Sequence, residues 1–231
     1  MLTCYYSVAM KVVREVHDRL AEEYGHPVFD PPLLGNRADP LDELMFIILT
    51  LKTNDANYSR VFHALKNAYP TWQDVLDAPM ARLRRVIKPA GLSNQKTPRI
   101  KSILRTIKRR TGALSLEFLQ NRPSDEIEEF LDQLPGIGLK AARCVMMYSF
   151  GREVFPVDTH TARICRRLGW IDASVSTKRA QKLLPPLVPP GVRRALHVNL
   201  VIHGRDTCTQ KKPRCGECCL ADLCPSAGVT S

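Results

Sequence analysis

The sequence predicts an all-α protein of 231 residues. Apolar residues recur at three- and four-residue spacing along most of the chain, which is the period of a helix with one buried face. Alternating runs of β-branched residues, which would indicate half-buried strands, are few. The stretches between the helical segments are short, and short connections favour a compact helical bundle. The chain is long enough to bury one large core or two small ones.

Helical segments can be assigned in order along the first half of the chain. The apolar pattern predicts a first helix over about residues 8–24, and a proline-containing linker over 25–40 marks a predicted domain boundary. Residues 41–51 are too apolar for a surface helix, so they predict a central helix that is buried on most sides. Further helices are predicted near 58–68, 71–76 and 81–88.

The next helix carries end signals in the sequence. Thr97 is predicted as its N-cap, because Pro98 would then take the first helical position, where a missing N–H costs nothing. Gly112 is predicted to end it, since glycine readily takes the left-handed backbone of a helix C-terminus. The sequence therefore predicts a helix from Thr97 to Gly112.

A helix-hairpin-helix motif is predicted where the sequence reads LPGIGLK, between helical patterns at 127–133 and 141–150. Pro135 stops the first helix, while Gly136 and Gly138 permit a tight turn whose amides can approach a phosphate. These amides and the positive end of the second helix would grip a nucleic-acid backbone without reading its sequence. A Pro-Gly-x-Gly turn can also merely connect two helices, and the motif alone leaves both interpretations open.

Lys140 is a candidate nucleophile because it falls in the first turn of the second hairpin helix. A cation there opposes the helix dipole, which slightly favours the neutral amine. The alternative is a lysine that forms a salt bridge with a phosphate.

Asp158 follows eighteen residues after Lys140 and opens a helical pattern at 162–168 that ends at Gly169. Most aspartates in such a position act only as an N-cap, although a carboxylate oxygen that faces a cleft can also serve chemistry. His160 is a weaker candidate for a general base, because a lone histidine in a helix is more often packed or hydrogen-bonded.

The last quarter of the chain contains a predicted metal site. Cys208, Cys215, Cys218 and Cys224 are separated by six, two and five residues, so one loop can bring four thiolates to a single centre. The spacing leaves a [4Fe-4S] cluster and a zinc ion both open. Disulfides are disfavoured, because no apolar secretory leader is evident and cysteines of cytosolic proteins more often bind metal. Cys219 could replace Cys218 as a ligand, and the sequence does not choose between them.

The other cysteines do not form a second site. Cys144 and Cys165 have apolar neighbours in helical patterns and are predicted to be small core residues.

The charge balance indicates a polyanionic partner. Lys and Arg number 34 against 23 Asp and Glu, which gives a formal charge of +11 and an isoelectric point near 9.5. Between Asp77 and Glu117 the charged residues are all basic, and they predict a surface that follows phosphates. They are Arg82, Arg84, Arg85, Lys88, Lys96, Arg99, Lys101, Arg105, Lys108, Arg109 and Arg110. No apolar run is long enough to cross a bilayer.

Together, the LPGIGLK hairpin, the VDTH sequence at 157–160 and the closing cysteine spacing resemble endonuclease III, within the helix-hairpin-helix superfamily of DNA glycosylases. The resemblance extends over about residues 39–225. It implies a [4Fe-4S] cluster bound by Cys208, Cys215, Cys218 and Cys224. It also implies two all-α lobes: a six-helix barrel at 35–150, and a cluster domain formed by 1–34 and 151–231 together. The active cleft would lie between the lobes.

The resemblance also implies the activity of a bifunctional DNA glycosylase and AP lyase that removes oxidised pyrimidines from duplex DNA. Lys140 would attack the sugar of a flipped nucleotide and form a Schiff base, and Asp158 would stabilise the developing positive charge. β-Elimination from the Schiff base would then cut the strand.

The resemblance to endonuclease III also implies which residues of this chain contact DNA. Leu92 matches a leucine that fills the gap left by the flipped base, and Lys52 stands where endonuclease III usually has glutamine. Lysine has no hydrogen-bond acceptor, so this departure bears on the range of lesions. The remaining predicted DNA contacts are Gly136, Gly138, Lys211, Lys212 and Arg214.

The sequence leaves three alternative functions open: a mismatch-type glycosylase, a non-catalytic or weakly active metal-containing DNA-binding paralogue, and a zinc-binding interaction protein. An adenine glycosylase would have another residue at Lys140 and a further C-terminal domain. The resemblance favours a monomer of prokaryotic type that acts on damaged double-stranded DNA in the cytoplasm, associated with the nucleoid and not with a membrane.

Overall fold

A computed structural model describes residues 2–25, 39–50 and 55–228. Within these ranges the chain forms eleven α-helices and no β-strand, which confirms the predicted all-α class. The helices are α1 Leu2–Tyr24, α2 Pro40–Thr50, α3 Asp55–Ala68, α4 Trp72–Asp77, α5 Met80–Ile87, α6 Ser93–Thr111, α7 Ser124–Asp132, α8 Leu139–Tyr148, α9 Thr159–Arg167, α10 Thr177–Leu183 and α11 Arg193–Asp206. None of the described helices combines the length and apolarity needed to cross a membrane.

The chain divides into two compact units. One consists of Met1–Phe29 with Glu153–Ser231, and the other of Asp30–Arg152. The sequence predicts the corresponding divisions after residues 34 and 150. Most of the predicted linker at 25–40 lies outside the described residues.

The unit of Asp30–Arg152 is built around α2, as its apolar sequence predicted. Leu44, Ile48 and Leu49 are fully buried, and Phe46 makes edge-to-face contacts with Tyr58 and Phe62 of α3. Helices α3, α6 and α8 pack against α2. A helix surrounded on most sides needs apolar residues on most sides, which explains the continuous apolar run.

The second unit packs α1 against α11, and α11 against α9. Its core contains Val16 and Leu20 of α1 together with Leu196 and Leu200 of α11, all fully buried. Leu220 in the cysteine-rich segment is also buried in this core. The core therefore anchors the C-terminal segment on the first helix of the chain.

The predicted start of α6 is wrong. The helix begins at Ser93, with Leu92 as its N-cap residue, and continues to the predicted Gly112, which has a φ of 78°. Thr97 lies inside the helix, where its hydroxyl donates to the Ser93 carbonyl at 2.7 Å. Pro98 is therefore an interior proline, and the helix starts one turn earlier than the local cap signals indicate.

Candidate functional site

The hairpin between α7 and α8 has the geometry that its glycines require. Gly136 has a φ of 73°, in the left-handed region that favours glycine. A Cβ placed there would lie 2.7 Å from Nε of Arg99, at the end of a flexible side chain that can move aside, so the backbone conformation is the main requirement for glycine at this position. Gly138 is the N-cap residue of α8, and the buried Ile137 anchors the turn between the two glycines. The turn therefore leads directly into the N-terminus of α8, which is suited to an anion.

Lys140 is the second residue of α8 and is half-buried. The inner face of α8 is closed by Ala142, Val145 and Met146, which are almost fully buried. Arg143 and Glu128 join α8 to α7 through an ion pair of 2.6 Å. These contacts fix the first turn of α8, and with it the backbone position of Lys140.

Asp158 is the N-cap of α9. Its Oδ1 accepts a hydrogen bond of 2.7 Å from the amide of Thr161, and its side chain is half-buried. The residue before it, Val157, is buried, and both its N–H and its carbonyl are hydrogen-bonded to the side chain of Gln181 in α10. The Gln181 amide donates to the Val157 carbonyl, and its Oε1 accepts from the Val157 N–H at 3.3 Å. Gln181 thus fixes the segment from which Asp158 projects.

Lys140 and Asp158 belong to different compact units. Their meeting in one cleft stays a prediction. His160, two residues after Asp158, contacts Arg163 at 3.2 Å through Nδ1. A Cβ on Gly204 of α11 would lie 2.7 Å from the His160 Cβ, so α9 and α11 are in close contact at this residue. This packing favours a structural role for His160.

The four predicted metal ligands line one cavity of about 850 Å³, here called the cysteine cavity. Its walls include Cys208, Cys215, Cys218 and Cys224. Among the described side chains, no group of three or more His, Cys, Asp or Glu residues is arranged to hold a single metal ion. Four thiols around a space larger than one ion are a donor set that suits an iron–sulfur cluster.

Cys219 does not belong to the lining of this cavity. It packs against the core of its unit, and burial raises the pKa of its thiol to about 11. Its carbonyl accepts a hydrogen bond of 3.3 Å from Arg19 of α1. The cavity geometry thus favours Cys218 over its neighbour as the ligand.

Two side chains contact sulfurs of the cysteine cavity. Arg167 Nη1 donates to Cys208 Sγ at 3.0 Å and to the Thr209 carbonyl at 2.8 Å. His203 Nε2 lies 3.5 Å from Cys218 Sγ, and its Nδ1 lies 2.9 Å from the Tyr24 hydroxyl. A donor such as Arg167 orients a sulfur ligand and offsets its negative charge. Sequence reasoning missed Arg167 and His203, because a basic residue in a helix gives no sign of its distant partner.

The cysteine-rich segment also presents cations. Lys211, Lys212 and Arg214 are exposed, and all three border the cysteine cavity. The backbone of this segment is fixed: Arg214 N donates to the Thr207 carbonyl at 2.9 Å, and the Thr209 hydroxyl donates to the Lys212 carbonyl at 2.7 Å. The segment is therefore ordered by protein contacts close to the cations.

Leu92, which is predicted to act as a wedge that fills the gap left by the flipped base, is 41% exposed at the N-terminal end of α6. Lys52 lies outside the described residues. Two members of the predicted basic surface are not on the surface, since Lys96 and Lys101 are 2% and 4% exposed. Both donate to backbone carbonyls in the protein interior, and these bonds compensate for burial of a lysine that the sequence cannot reveal.

Comparison with known proteins identifies relatives along most of the chain. A family model described as HhH-GPD superfamily base excision DNA repair protein matches residues 45–190. Endonuclease III of Haemophilus influenzae is 34% identical over 211 residues, which cover 91% of this chain and 93% of that protein. A protein of Arabidopsis thaliana, provisionally named a DNA glycosylase, is 33% identical over 172 residues. That match covers 74% of this chain, which spans only 59% of the Arabidopsis protein.

Solved complexes of endonuclease III with DNA have the same fold. A non-covalent complex has a TM-score of 0.80 and 27% identity, covering 94% of this chain and 96% of that one. A trapped covalent intermediate with an estranged adenine has a TM-score of 0.79 and 26% identity, with the same coverage.

Proposed function

The chain belongs to the HhH-GPD superfamily of base excision DNA repair proteins, and we propose that Lys140 and Asp158 are its catalytic pair. The enzyme is a DNA glycosylase with AP lyase activity, as its similarity to endonuclease III over nearly the whole chain indicates. The observation that carries the proposed mechanism is the position of Lys140. It stands in the first turn of α8, directly after a glycine turn suited to a phosphate.

The proposed reaction starts with a damaged nucleotide that is flipped out of the duplex. The neutral amine of Lys140 attacks C1′, the bond from C1′ to the base breaks, and the base leaves with a proton from solvent. The Asp158 carboxylate stabilises the positive charge that develops on the sugar. Opening of the sugar ring then gives an iminium between Lys140 and C1′.

Strand cleavage follows from the same intermediate. The iminium acidifies the proton on C2′, and loss of that proton expels the 3′ phosphate by β-elimination. Hydrolysis of the remaining imine releases Lys140. The direct test is borohydride reduction of the protein on a duplex with one abasic site, because reduction captures an imine as a stable protein–DNA bond. Absence of a captured complex would contradict the lyase mechanism.

Oxidised pyrimidines in double-stranded DNA are the proposed substrates, and Leu92 is proposed to fill the space of the flipped base. Lys52 can donate to an acceptor on the opposite base or a phosphate but cannot accept. A mismatch-type or non-catalytic function is not favoured, given the similarity to endonuclease III. We further propose a monomer of prokaryotic type that acts on damaged double-stranded DNA in the cytoplasm, associated with the nucleoid.

We propose that Cys208, Cys215, Cys218 and Cys224 hold a [4Fe-4S] cluster in the cysteine cavity. The donor set supports this assignment, because four thiols border the cavity and Arg167 donates to one of the sulfurs. When bound, the cluster would cross-link the C-terminal segment through metal–sulfur bonds. Its expected role is to fix the segment that presents Lys211, Lys212 and Arg214, and not to take part in bond cleavage.

Exchanging single cysteines for serine tests this ligand set. Cys218→Ser should remove most of the bound iron and the broad visible absorption of the purified protein, because a serine hydroxyl is a poor replacement for a thiolate. Cys219→Ser is the matched control and should keep both, since Cys219 lies outside the cavity lining. Iron analysis and an absorption scan measure the two variants side by side. Loss of iron in Cys219→Ser with retention in Cys218→Ser would reverse the assignment.

Removal of the two loop lysines tests the proposed DNA contact. Lys211→Ala with Lys212→Ala should weaken binding to all duplex sequences and reduce the slope of log affinity against log salt by about 0.9 per lost phosphate contact. The control variant carries Lys178→Ala with Lys182→Ala on α10, which makes the same change in net charge outside the cysteine-rich segment. Binding is measured over a salt series. A slope unchanged by the loop substitutions would place this segment away from DNA.

A further inference from the structure

Leu92 is held in a costly backbone conformation. Its φ is 49°, and among the described residues it is the one non-glycine residue with a positive φ. The left-handed conformation is unfavourable for a residue with a side chain, because its Cβ comes too close to the following carbonyl oxygen. The Leu92 side chain is 41% exposed, so its own burial compensates little of this cost. Other contacts must hold this loop in place.

Lys96 makes such contacts on both sides of Gly91. Its amide donates to the Leu92 carbonyl at 2.9 Å, while its Nζ donates to the Ala90 carbonyl at 2.7 Å. Nζ also donates to the Leu49 carbonyl at 2.7 Å. One residue thus binds the loop before and after Gly91 and ties it to the end of α2.

The buried ammonium suits the ends of two helical segments. Leu49 is the next-to-last residue of α2, and Ala90 is the last residue of a 3₁₀ turn at Lys88–Ala90. Carbonyls at helix C-termini lack intrahelical partners and carry a partial negative charge. Charge-assisted bonds to them offset part of the cost of burying Lys96. Burial still lowers the pKa of Lys96 to about 8.

We propose that Lys96 is a positioning residue that presents Leu92 to the DNA gap by fixing the Ala90–Leu92 backbone against α2. This inference rests on the proposed function, since it gives Leu92 the role of the wedge. Lys96 acts through the loop and does not touch the reacting atoms. Its loss should therefore impair the step in which a stacked base is flipped more than the chemistry at an abasic site.

Lys101 provides a matched control in the same helix. It is 4% exposed, and its Nζ donates to the carbonyls of Leu76, at 2.9 Å, and Ala78. These carbonyls lie where α4 meets α5 and not in the Leu92 loop. Lys96→Met and Lys101→Met therefore remove similar buried bonds, and only the first removes a bond to that loop.

The test compares both methionine variants with the wild type on two duplexes, one with a single thymine glycol and one with a single abasic site. Single-turnover excision of thymine glycol should fall about 10-fold or more in Lys96→Met and less than about 3-fold in Lys101→Met. Borohydride trapping on the abasic duplex should fall less than about 3-fold in either variant. Equal losses of excision in the two variants would overturn the positioning role. A wild type that neither excises nor traps would overturn the proposed function, and this inference with it.

A double-mutant cycle identifies the route of the effect. If Lys96 acts through Leu92, Leu92→Ala should slow excision clearly in the wild type and less than about 2-fold further in Lys96→Met. If the losses of excision rate from the two single substitutions multiply fully in the double variant, the residues act independently, and the inference is overturned. If Lys96→Met does not fold, Lys96→Gln and Lys101→Gln replace the methionine pair under the same criteria.

Discussion

Replacing Lys140 with alanine is expected to abolish base excision and strand cleavage together while DNA affinity stays nearly unchanged. The substitution removes the proposed nucleophile, and the loss of a nucleophile lowers the rate by at least about 10³-fold. It leaves the turn at Gly136 and the N-cap at Gly138 intact, so the amides that we propose to bind a phosphate remain. Single-turnover excision, borohydride trapping and duplex affinity are measured on the same preparation.

Two further variants separate the roles of this lysine. Lys140→Arg keeps a positive charge, but arginine stays protonated and cannot serve as the amine nucleophile. It should therefore be as inactive as Lys140→Ala if the amine attacks the sugar, and active if only charge is needed. Lys182→Ala, at an exposed position of α10, should trap normally. Undiminished trapping in Lys140→Ala would assign the imine to another lysine.

Local signals in the sequence predicted much of the fold because they depend on few distant contacts. The apolar run at 41–51 predicted the buried helix α2, and its burial is confirmed over the described part of the run, which ends at Thr50. Gly112 ends α6 with the left-handed conformation that its sequence position indicated. Asp158 caps α9 as predicted, through its bond to the Thr161 amide. In each case the residue's own backbone preference or periodicity carries the information.

The errors and omissions arise where a distant contact decides the structure. Thr97 and Pro98 carry the local signs of a helix start, yet α6 begins a turn earlier, where Lys96 is bonded to Ala90 and Leu49. Lys101 similarly counts as surface charge by composition but donates to buried carbonyls. Tertiary hydrogen bonds of this kind override local preference, and a single sequence does not reveal the partner.

In the candidate site, too, residues that local sequence signals indicate differ from residues that only a distant contact reveals. Motif spacing predicts Lys140, Asp158 and the four cysteines as site residues, because the prediction depends only on residue type and order. Sequence reasoning missed Gln181, whose side chain hydrogen-bonds both the N–H and the carbonyl of Val157, directly before Asp158. A glutamine in an amphipathic helix predicts exposure, and only the packing of α10 against α9 makes it a support for the site.

Asp158→Asn should reduce excision by about 10²-fold or more while the melting temperature changes little. Asparagine keeps an oxygen that can accept from the Thr161 amide, and it is as good an N-cap as aspartate. What it loses is the negative charge, and losing one electrostatic stabiliser of a transition state has an effect of this size. Single-turnover rates and thermal melting are measured together, because the two readouts separate the catalytic role from capping.

The N-cap of α10 supplies the matched control for Asp158. Ser176 accepts from the Arg179 amide at 3.2 Å, so Ser176→Ala removes a cap without touching the proposed catalytic pair. It should lower stability by about 1 kcal/mol and leave excision unchanged. Asp158→Ala removes both cap and charge, so it should combine a stability loss like that of Ser176→Ala with the rate loss of Asp158→Asn. A large fall in melting temperature for Asp158→Asn, with only a proportionate fall in rate, would return Asp158 to a purely structural role.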